Sequence, residues 1–585
     1  MFKRLVLAAA VTLAIAPAYA QSPTPVWITR SNADAQILVE LTARFSPESA
    51  SDFGVDGYDD KVQDLKPGVD ERMRQALVDA RAKLAKRLSE EKDPNVHQDL
   101  DILVSQVDQQ IEGIDLDRKY LLPYQDIGQL IFGGEFALLK DEVDPKHRTF
   151  ALARLKCYVG MAPGCTPITE LAKAQTTERL GEKSLLGPYK GEVEQKLGNT
   201  SRYVDGVRQL FAKYKIAGSE EALAKLDQQM KDYDAWVRST ILPRARTDFR
   251  LPEPLYAYSL KQVGLDIAPR ALIKQAMLEF METRSAIEVL APTVDRAEGI
   301  QATDYQGVLK ALKKKQLDKA SVELTYHRII GQIEETIVKQ GIVDLPRRKM
   351  VMRMASEAEN AQIPAPHMDA PPFVNNKGER GTFVLAMGNP PANGDASQAY
   401  DDFTYEAAAW TLTAHEGRPG HELQFAAMVE RGVSLTRSLF AFNSVNAEGW
   451  ALYSEMEMLP YEPPAGQFVA LQFRLLRAAR AFLDPMLNLG LITRERAHDV
   501  LVNDVGLSEA LARQELDRYT FNSPGQATSY FYGYTRIMQL RAETEIALGA
   551  KFDRKAFNNF LIAQGLLTPD LLAEAVRTQF IPQHK

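Results

Sequence analysis

Two histidines flank a Pro-Gly pair in the segment from His415 to His421, and this spacing restricts the backbone more than any other feature of the chain. Histidines four residues apart share one face of an α-helix, whereas a separation of six rotates them by roughly 240°. Pro419 removes an amide donor from a helix, and Gly420 tolerates the backbone angles of a bulge. The sequence therefore predicts that the helix bulges or breaks here, which would return both imidazoles to one side.

The two histidines are accompanied by two carboxylates, a combination that is typical of zinc sites. Glu416 follows the first histidine directly, and Glu448 lies 27 residues past the second. Two neutral imidazoles and one carboxylate bind Zn²⁺ and leave a position open for water, whose proton a free carboxylate accepts. We therefore predict one Zn²⁺ per chain, bound by His415, His421 and Glu448. Glu416 is then the predicted general base, and the alternative is a surface helix end whose histidines are incidental.

Five separated blocks of the sequence follow the motifs of one known family in the same order. Residues 415–424 match H-E-x-x-P-G-H-H-x-Q, apart from position 422, and residues 448–455 match E-G-W-A-L-Y-x-E. The other blocks are 157–172, 477–484 and 515–533. The chain thereby resembles a bacterial family of unknown function, domain-of-unknown-function family 885, which is grouped with the gluzincin metallopeptidases.

The resemblance implies a fold and a function. It implies a zinc-dependent peptidase that hydrolyses short peptides, in a large, mostly α, gluzincin-like fold with a deep central cleft and a small β element before the metal helix. We divide the chain into a signal peptide at 1–20, an N-terminal helical part at 21–360 and a metal-binding catalytic part at 361–585, the last two forming one continuous unit. Two other functions stay open: a zinc hydrolase of a non-peptide amide, and a non-catalytic binding protein that retains the peptidase fold.

The chain departs from the family pattern at three positions where the family has histidine. These positions are occupied by Glu422, Asn488 and Asn558. Their identity weakens the case for a second metal ion, and for a histidine that donates to the transition state. The three predicted zinc ligands and the predicted base are unaffected.

Three further residues complete the predicted site. Peptide hydrolysis creates an oxyanion, to which a tyrosine hydroxyl can donate. The resemblance implies Tyr530 for this role, and Tyr534 lies one helical turn further; either is a candidate, and the alternative is aromatic packing in a core. Glu455 lies seven residues after Glu448 on the same helix face and is predicted to hydrogen-bond a ligand histidine. The alternative for Glu455 is exposure to solvent.

Helical periodicity dominates the rest of the sequence. Apolar and charged residues alternate at helical spacing in the ranges 70–92, 100–113, 219–237, 269–290, 320–340, 467–483 and 546–579. Long amphipathic helices with short polar links predict a large helical assembly. A metal helix is predicted at 401–416. The strand predicted within 381–387 either pairs with a substrate backbone, as strands at this place do in gluzincins, or belongs to a structural hairpin.

The N-terminus and the cysteines indicate an exported protein. Residues 1–20 combine two basic residues with an apolar run and a small-residue cleavage site before Gln21, which predicts a signal peptide and a periplasmic or secreted chain. A retained anchor is the alternative. Cys157 and Cys165, the two cysteines of the sequence, are predicted to form one local disulfide in that oxidising environment.

Charge and composition fit a soluble protein, and the resemblance implies a peptide substrate as its partner. The formal net charge is −7 and 25% of the residues are charged, which is ordinary for a soluble protein. No basic surface for nucleic acid is indicated, so we predict no nucleic-acid partner. No later apolar run has membrane length, so we predict no stable membrane anchor after the signal peptide is removed.

Overall fold

The structure, a computed structural model, describes residues 25–387 and 400–585. Within them the chain forms twenty-four α-helices and one three-stranded sheet, which confirms the predicted mostly α class with a small β element. The predicted signal peptide at 1–20 lies outside the described residues. No helix in the described ranges is both long enough and apolar enough to cross a membrane.

The helices follow one another along the chain with short connections. The first ten are α1 (Val26–Phe45), α2 (Pro47–Phe53), α3 (Val69–Glu90), α4 (Pro94–Tyr120), α5 (Ile127–Phe136), α6 (Ala151–Tyr158), α7 (Ile168–Arg179), α8 (Lys190–Lys213), α9 (Glu220–Trp236) and α10 (Glu253–Gln262). The next four are α11 (Pro269–Glu298), α12 (Tyr305–Lys313), α13 (Lys319–Gln340) and α14 (Glu357–Gln362). The last ten are α15 (Glu406–Glu416), α16 (His421–Arg431), α17 (Ser444–Met458), α18 (Pro464–Asn488), α19 (Arg494–Asp499), α20 (Glu509–Asp517), α21 (Ser529–Leu548), α22 (Arg554–Ala563), α23 (Pro569–Ala575) and α24 (Ile581–His584).

The helices predicted from periodicity are confirmed. The first six periodic ranges fall on α3, α4, α9, α11, α13 and α18, and the range 546–579 falls on α21 to α23. Side chains mark several helix starts: Asp93, Asp318 and Ser508 accept hydrogen bonds from first-turn amides of α4, α13 and α20. These caps satisfy amides that have no partner within the helix, so local sequence fixes where these helices begin.

The small sheet consists of β1 (Val351–Met354), β2 (His367–Asp369) and β3 (Thr382–Leu385), in the order β1-β3-β2. β3 pairs in parallel with β1 and antiparallel with β2, and its four residues are buried. The strand predicted within 381–387 therefore exists. The prediction that it pairs with a substrate backbone is wrong, because both of its edges already pair with neighbouring strands. β2 lies at the edge of this sheet.

Three large hydrophobic cores and one small core around Phe425 hold the helices together in the described residues. One lies between α1, α3 and α4, and a second lies mainly among α5 to α9. The largest extends from Tyr256 to Ile581 and includes residues of α11, α13, α15, α17, α18 and α21. This core and the pairing of β1 with β3 both cross the position 360/361, so the two predicted parts are packed together there. Their division into two parts stays a prediction.

A close crossing of α17 and α21 positions two candidate site residues. A Cβ atom added to Gly449 would lie 2.5 Å from the carbonyl carbon of Gly533, and one added to Gly533 would lie 2.0 Å from the carbonyl oxygen of Val445. A side chain at either position would overlap backbone atoms, so glycine allows the helices to approach this closely. The crossing brings Glu448 on α17 and Tyr530 on α21 to the same cavity.

The metal helix begins later than predicted. α15 starts at Glu406 and not near residue 401, because distant contacts hold the preceding residues in a non-helical path. Lys313 pairs with Asp401 at 3.1 Å and with Asp402 at 2.5 Å. Tyr405 has the extended angles φ −132° and ψ 151°. These tertiary contacts outweigh the local preference for helix.

The predicted disulfide is confirmed. Cys157 in α6 and Cys165 in the following connection are bonded, with their Cα atoms 5.2 Å apart. The bond links residues separated by 8 positions, so it fixes the local path between α6 and α7.

Candidate metal centre

The predicted interruption between the two histidines is a complete break. α15 ends one residue after His415, and α16 begins at His421. A Cβ atom added to Gly420 would lie 1.9 Å from the carbonyl oxygen of His415, so a side chain does not fit there. The indole N–H of Trp450 on α17 donates to the carbonyl oxygen of Pro419 at 3.0 Å. The break is therefore held by a neighbouring helix, and it leaves the two imidazoles facing one another.

His415, His421 and Glu448 converge from three helices. Their ligand atoms all lie within 4.8 Å of one another. The Oε2 atom of Glu448 is 3.4 Å from Nε2 of His415 and 3.3 Å from Nε2 of His421. The two imidazole rings are nearly perpendicular, at 86°, with their centroids 4.9 Å apart. Two nitrogen donors and one carboxylate in this proximity are the donor set of a three-ligand zinc site.

Glu455 fixes the orientation of His415. Its Oε1 accepts a hydrogen bond from Nδ1 of His415 at 2.6 Å, and its Oε2 accepts one from the Thr411 hydroxyl at 2.9 Å. Arg477 of α18 donates to Oε1 at 3.1 Å. Nδ1 of His415 donates its proton to this carboxylate. Nε2 therefore carries a lone pair, which points toward the position between the three candidate ligands. The alternative of a solvent-exposed Glu455 is wrong, since this residue is only 4% exposed.

Burial and neighbouring charges set the ionisation of two of the carboxyl groups. Burial would raise the pKa of Glu448, but its close interactions with His415 and His421 outweigh burial and hold that pKa well below its usual range. Burial also opposes the ionisation of Glu455, where Arg477 and the hydrogen bond from His415 lower the pKa. Both groups are therefore carboxylates at neutral pH.

Glu416 lies beside the ligands without being one of them. Its Oε1 is 3.9 Å from Nε2 of His415, and its side chain lines the same cavity as His421. Burial, together with the negative charge of Glu448, raises the pKa of Glu416 to about 8. A divalent cation held by the neighbouring ligands would favour its ionised form. This position suits the predicted general base, because a proton acceptor must stand close to a metal without coordinating it.

We expect Glu455→Gln to weaken zinc binding by roughly 10- to 100-fold, because an amide fixes the His415 ring less firmly than a carboxylate does. Competition with a chelator measures this affinity. Glu462→Gln is the matched control: Glu462 is also 4% exposed, and its carboxyl oxygens have no hydrogen-bond partner among the described residues. The control should bind zinc as tightly as the wild type. Native affinity in Glu455→Gln would contradict the orienting role.

Tyr530 brings a hydroxyl group to the ligand cluster. Its ring stacks on the imidazole of His415, with centroids 5.9 Å apart and 14° between the planes. Arg518 donates to its hydroxyl oxygen at 2.8 Å. Burial raises the pKa of Tyr530, so the hydroxyl keeps its proton. Because the oxygen accepts from Arg518, that proton can be donated to another group in the cavity.

Tyr534 lies one turn further along α21, in different surroundings. It lines a small pocket with Glu455 and Arg474, and the guanidinium of Arg474 lies 4.9 Å from the centre of its ring. The described lining of the cavity that contains Glu416 includes Tyr530 but not Tyr534. Of the two predicted tyrosines, the structure therefore places Tyr530 with the metal ligands.

The three positions that lack the family's histidine make structural contacts. Glu422 forms a buried ion pair with Arg418 at 2.6 Å. Asn488 and Asn558 each donate to a backbone carbonyl at 3.0 Å. In the described part of the chain, one group of residues has the spacing of metal ligands, and it is the cluster of two histidines and one glutamate described above.

The ligand cluster faces a cavity of about 870 Å³. Residues near α5 and in α8 contribute to its walls from the predicted N-terminal part, and α16, α17, α20 and α21 contribute from the predicted catalytic part. The segment 361–368, which ends in β2, adds a further stretch of wall. Ligand sites commonly have volumes of roughly 300 to 1,000 Å³, so this cavity can hold a short peptide or a molecule of similar size.

Two cavity residues were not predicted from the sequence to belong to the site. His367 in β2 lines the cavity, and its Nδ1 donates to the carbonyl oxygen of Ala365 at 2.9 Å. Nothing in its spacing from other histidines marks it. Arg518, which donates a hydrogen bond to Tyr530, belongs with Tyr519 to the R-Y block of the family pattern. That block was the one sequence feature that could have indicated Arg518 as a site residue.

The family relationship can now be stated. Residues 47–576 match the model of a family described as a bacterial protein of unknown function, DUF885. The chain belongs to this family. The match confirms the family resemblance found in the sequence, and it includes every candidate ligand, the candidate base and both tyrosines. The description of DUF885 gives no activity, so the function of this member has to be argued from its site.

Two solved structures share the fold of this DUF885 protein. One is a putative lipoprotein from Colwellia psychrerythraea, with 19% identity and a TM-score of 0.73 over 95% of this chain and 99% of that chain. The other is a putative lipoprotein of unknown function from Shewanella oneidensis, with 18% identity and a TM-score of 0.69 over 94% of this chain and 100% of that chain. At these identities the likeness establishes the fold alone. No curated protein matches the sequence.

Proposed function

We propose that this DUF885 protein is a zinc-dependent peptidase that hydrolyses short peptides outside the cytoplasm. The observation that carries the proposal is the convergence of His415, His421 and Glu448 within 4.8 Å, with Glu416 as a separate carboxylate beside them. The gluzincin peptidases, which the sequence resembles, use two histidines and a glutamate as ligands and another glutamate as the base.

The two distances from the Glu448 oxygen to the histidine nitrogens suit zinc. Zinc bonds of 2.0 to 2.1 Å at tetrahedral angles place two ligand atoms about 3.3 to 3.4 Å apart. The Glu448 oxygen lies 3.4 Å from the His415 nitrogen and 3.3 Å from the His421 nitrogen. Ca²⁺ and Mg²⁺ prefer oxygen ligands, so a site with two imidazoles favours zinc over these ions. One zinc ion per chain is therefore part of the proposal.

Three polar side chains of the site have a part in the proposed hydrolysis: Glu416, Tyr530 and Arg518. Zinc would supply a Lewis acid that lowers the pKa of a water molecule. Glu416 would accept a proton from the attacking water and transfer it to the nitrogen of the leaving amine. Tyr530 would donate its hydroxyl proton in a hydrogen bond to the oxyanion, and Arg518 would hold that hydroxyl in place. Tyr534 is left out of this scheme because it lines a different pocket.

β2 provides a place for the backbone of a peptide substrate. It is an edge strand, and the residues from 363 to 368 line the cavity together with Glu416. An extended peptide can add to such an edge through main-chain hydrogen bonds, which do not depend on its side chains. We therefore propose β2 for the role first expected for the strand within 381–387, and the cavity for that of the expected cleft.

Export of the chain is part of the proposal. The disulfide between Cys157 and Cys165 is typical of proteins in oxidising compartments. The lipoprotein descriptions of the two similar structures are compatible with a periplasmic or secreted location. Removal of residues 1–20 as a signal peptide completes this part of the proposal.

A digest tests the substrate class. We expect the zinc-loaded protein to cleave peptides of up to roughly a dozen residues and to leave an intact folded protein nearly untouched, because a cavity of this size excludes folded chains. Mass spectrometry of a synthetic peptide mixture and of a folded protein, each incubated with the enzyme, measures both. A Glu416→Gln preparation controls for contaminating peptidases.

The other outcomes of this digest select between the alternatives. Efficient internal cleavage of the folded protein would contradict an enclosed site. No cleavage of either sample by a protein with full zinc would favour a hydrolase of a non-peptide amide. A protein that binds no zinc and cleaves nothing would favour a non-catalytic binding protein.

A further inference from the structure

The cavity contains exposed apolar side chains that the proposed chemistry does not use. Phe442 is 54% exposed and Ile363 is 43% exposed, and both line the cavity. Phe425 and Met368 also line it, and Met368 packs against the small core that contains Phe425. We call these four residues the apolar sector. Large apolar groups that stay uncovered in a functional cavity indicate a ligand that covers them.

The apolar sector adjoins the metal ligands. Phe425 lies four residues after His421 on α16, so their side chains are neighbours on one helix face. Phe442 lies just before α17, the helix that carries Glu448. Met368 belongs to β2, the strand proposed to hold the substrate backbone. A peptide bond placed at the ligands would therefore have an adjacent side chain beside the apolar sector.

The lining near Tyr530 has the opposite character. The side-chain amide of Gln526 approaches Glu448 at 3.5 Å, and Arg518 donates to the Tyr530 hydroxyl. Gln514 lines the same cavity. An apolar side chain gains free energy where it covers Phe442 and removes apolar surface from water. Over amides and a guanidinium it would displace water without replacing the lost hydrogen bonds, which is unfavourable. The cavity thus favours an apolar side chain of a ligand beside Phe442 and disfavours one near Tyr530.

We propose that the apolar sector is the pocket for a large apolar side chain, such as phenylalanine or leucine, on the residue next to the cleaved peptide bond. This inference rests on the proposed peptidase function and adds a substrate class to it. Pairing with β2 would bind a backbone of any sequence, so side-chain selection has to come from a separate surface. The apolar sector is that surface.

Pairs of peptides that differ in one residue test this inference. Digestion of a synthetic peptide mixture by the zinc-loaded wild type first locates the cleaved bonds, and pairs are then made with Phe or Ser next to the bond. We expect kcat/KM to be higher for the Phe member by about 10-fold or more, as for other hydrophobic pockets. Phe442→Ser and Ile363→Ser should each reduce this ratio. Phe442→Lys should also raise the rate for a peptide that has Glu next to the cleaved bond, relative to the peptide that has Phe there.

The control and the possible results separate this inference from the proposed function. Ile546→Ser alters a side chain that is 85% exposed on α21 and not among the described cavity residues, so it should leave the Phe/Ser ratio unchanged. Phe442 and Ile363 are exposed, so their replacement should not disturb the cores, and circular dichroism checks this. A wild type that cleaves peptides without an apolar preference, or a preference unaltered by the variants at both positions, would overturn the inference alone. A zinc-loaded wild type that cleaves no peptide would overturn the proposed function and this inference together.

Discussion

Protein saturated with zinc and then dialysed should retain about one zinc ion per chain, whereas His421→Ala should retain almost none. In the proposed site His421 supplies one of the two nitrogen donors, and its loss would leave only His415 and Glu448 as ligands. The same loss is expected for His415→Ala. Elemental analysis of zinc and protein in the same sample measures the ratio.

A histidine outside the site provides the control for this experiment. His327 is exposed on α13, and His327→Ala should retain zinc as the wild type does. Glu448→Gln, which keeps the size of the side chain and removes its charge, should also lose most of the zinc. Stoichiometric zinc in both His415→Ala and His421→Ala would show that these residues are not the ligands.

Glu416→Gln should lower kcat on a cleaved peptide by roughly 10²-fold or more while zinc stays bound. The amide has nearly the size and shape of the carboxylate but cannot accept the proton of the attacking water. Because Glu416 is not among the three proposed ligands, the zinc content should equal that of the wild type. Steady-state kinetics and elemental analysis on the same preparation measure the two quantities.

Glu406→Gln is the matched control on the same helix. Glu406 begins α15, has a side chain that is 56% exposed, and pairs with Arg328. Its replacement should leave both turnover and zinc content unchanged. A Glu416→Gln protein with nearly native turnover would rule out Glu416 as the base, and loss of its zinc would instead make it a ligand.

Most helices could be predicted from the sequence because their causes are local. The periodic ranges 70–92 and 320–340 became Val69–Glu90 and Lys319–Gln340, since an apolar helix face acts within a few residues, and the second helix is also capped by the side chain of Asp318. Local reasoning failed where a distant contact decided the structure. Lys313 holds the residues before α15 in a non-helical path, and β1 and β2 lie on either side of β3. Neither partner can be identified from the segment itself.

The sequence by itself determined which residues are candidates for the site and where the helix breaks. The residue types at His415, Glu416 and His421, the Pro-Gly pair between the histidines, and the family pattern around Glu448 indicated a zinc site with a helix break. These features depend on chemical identity and on short spacing. Each feature lies within a few consecutive residues, so it can be recognised without knowledge of the fold.

Only the tertiary structure decided which other groups join that site. It placed Tyr530 and not Tyr534 beside His415, brought Glu455 to the Nδ1 atom of that histidine, and left Phe442 exposed in the cavity. These positions depend on how α17, α18 and α21 cross, and the crossing follows from the packing of buried helix faces. Packing sets the distances between residues that are far apart in the chain, and sequence spacing does not.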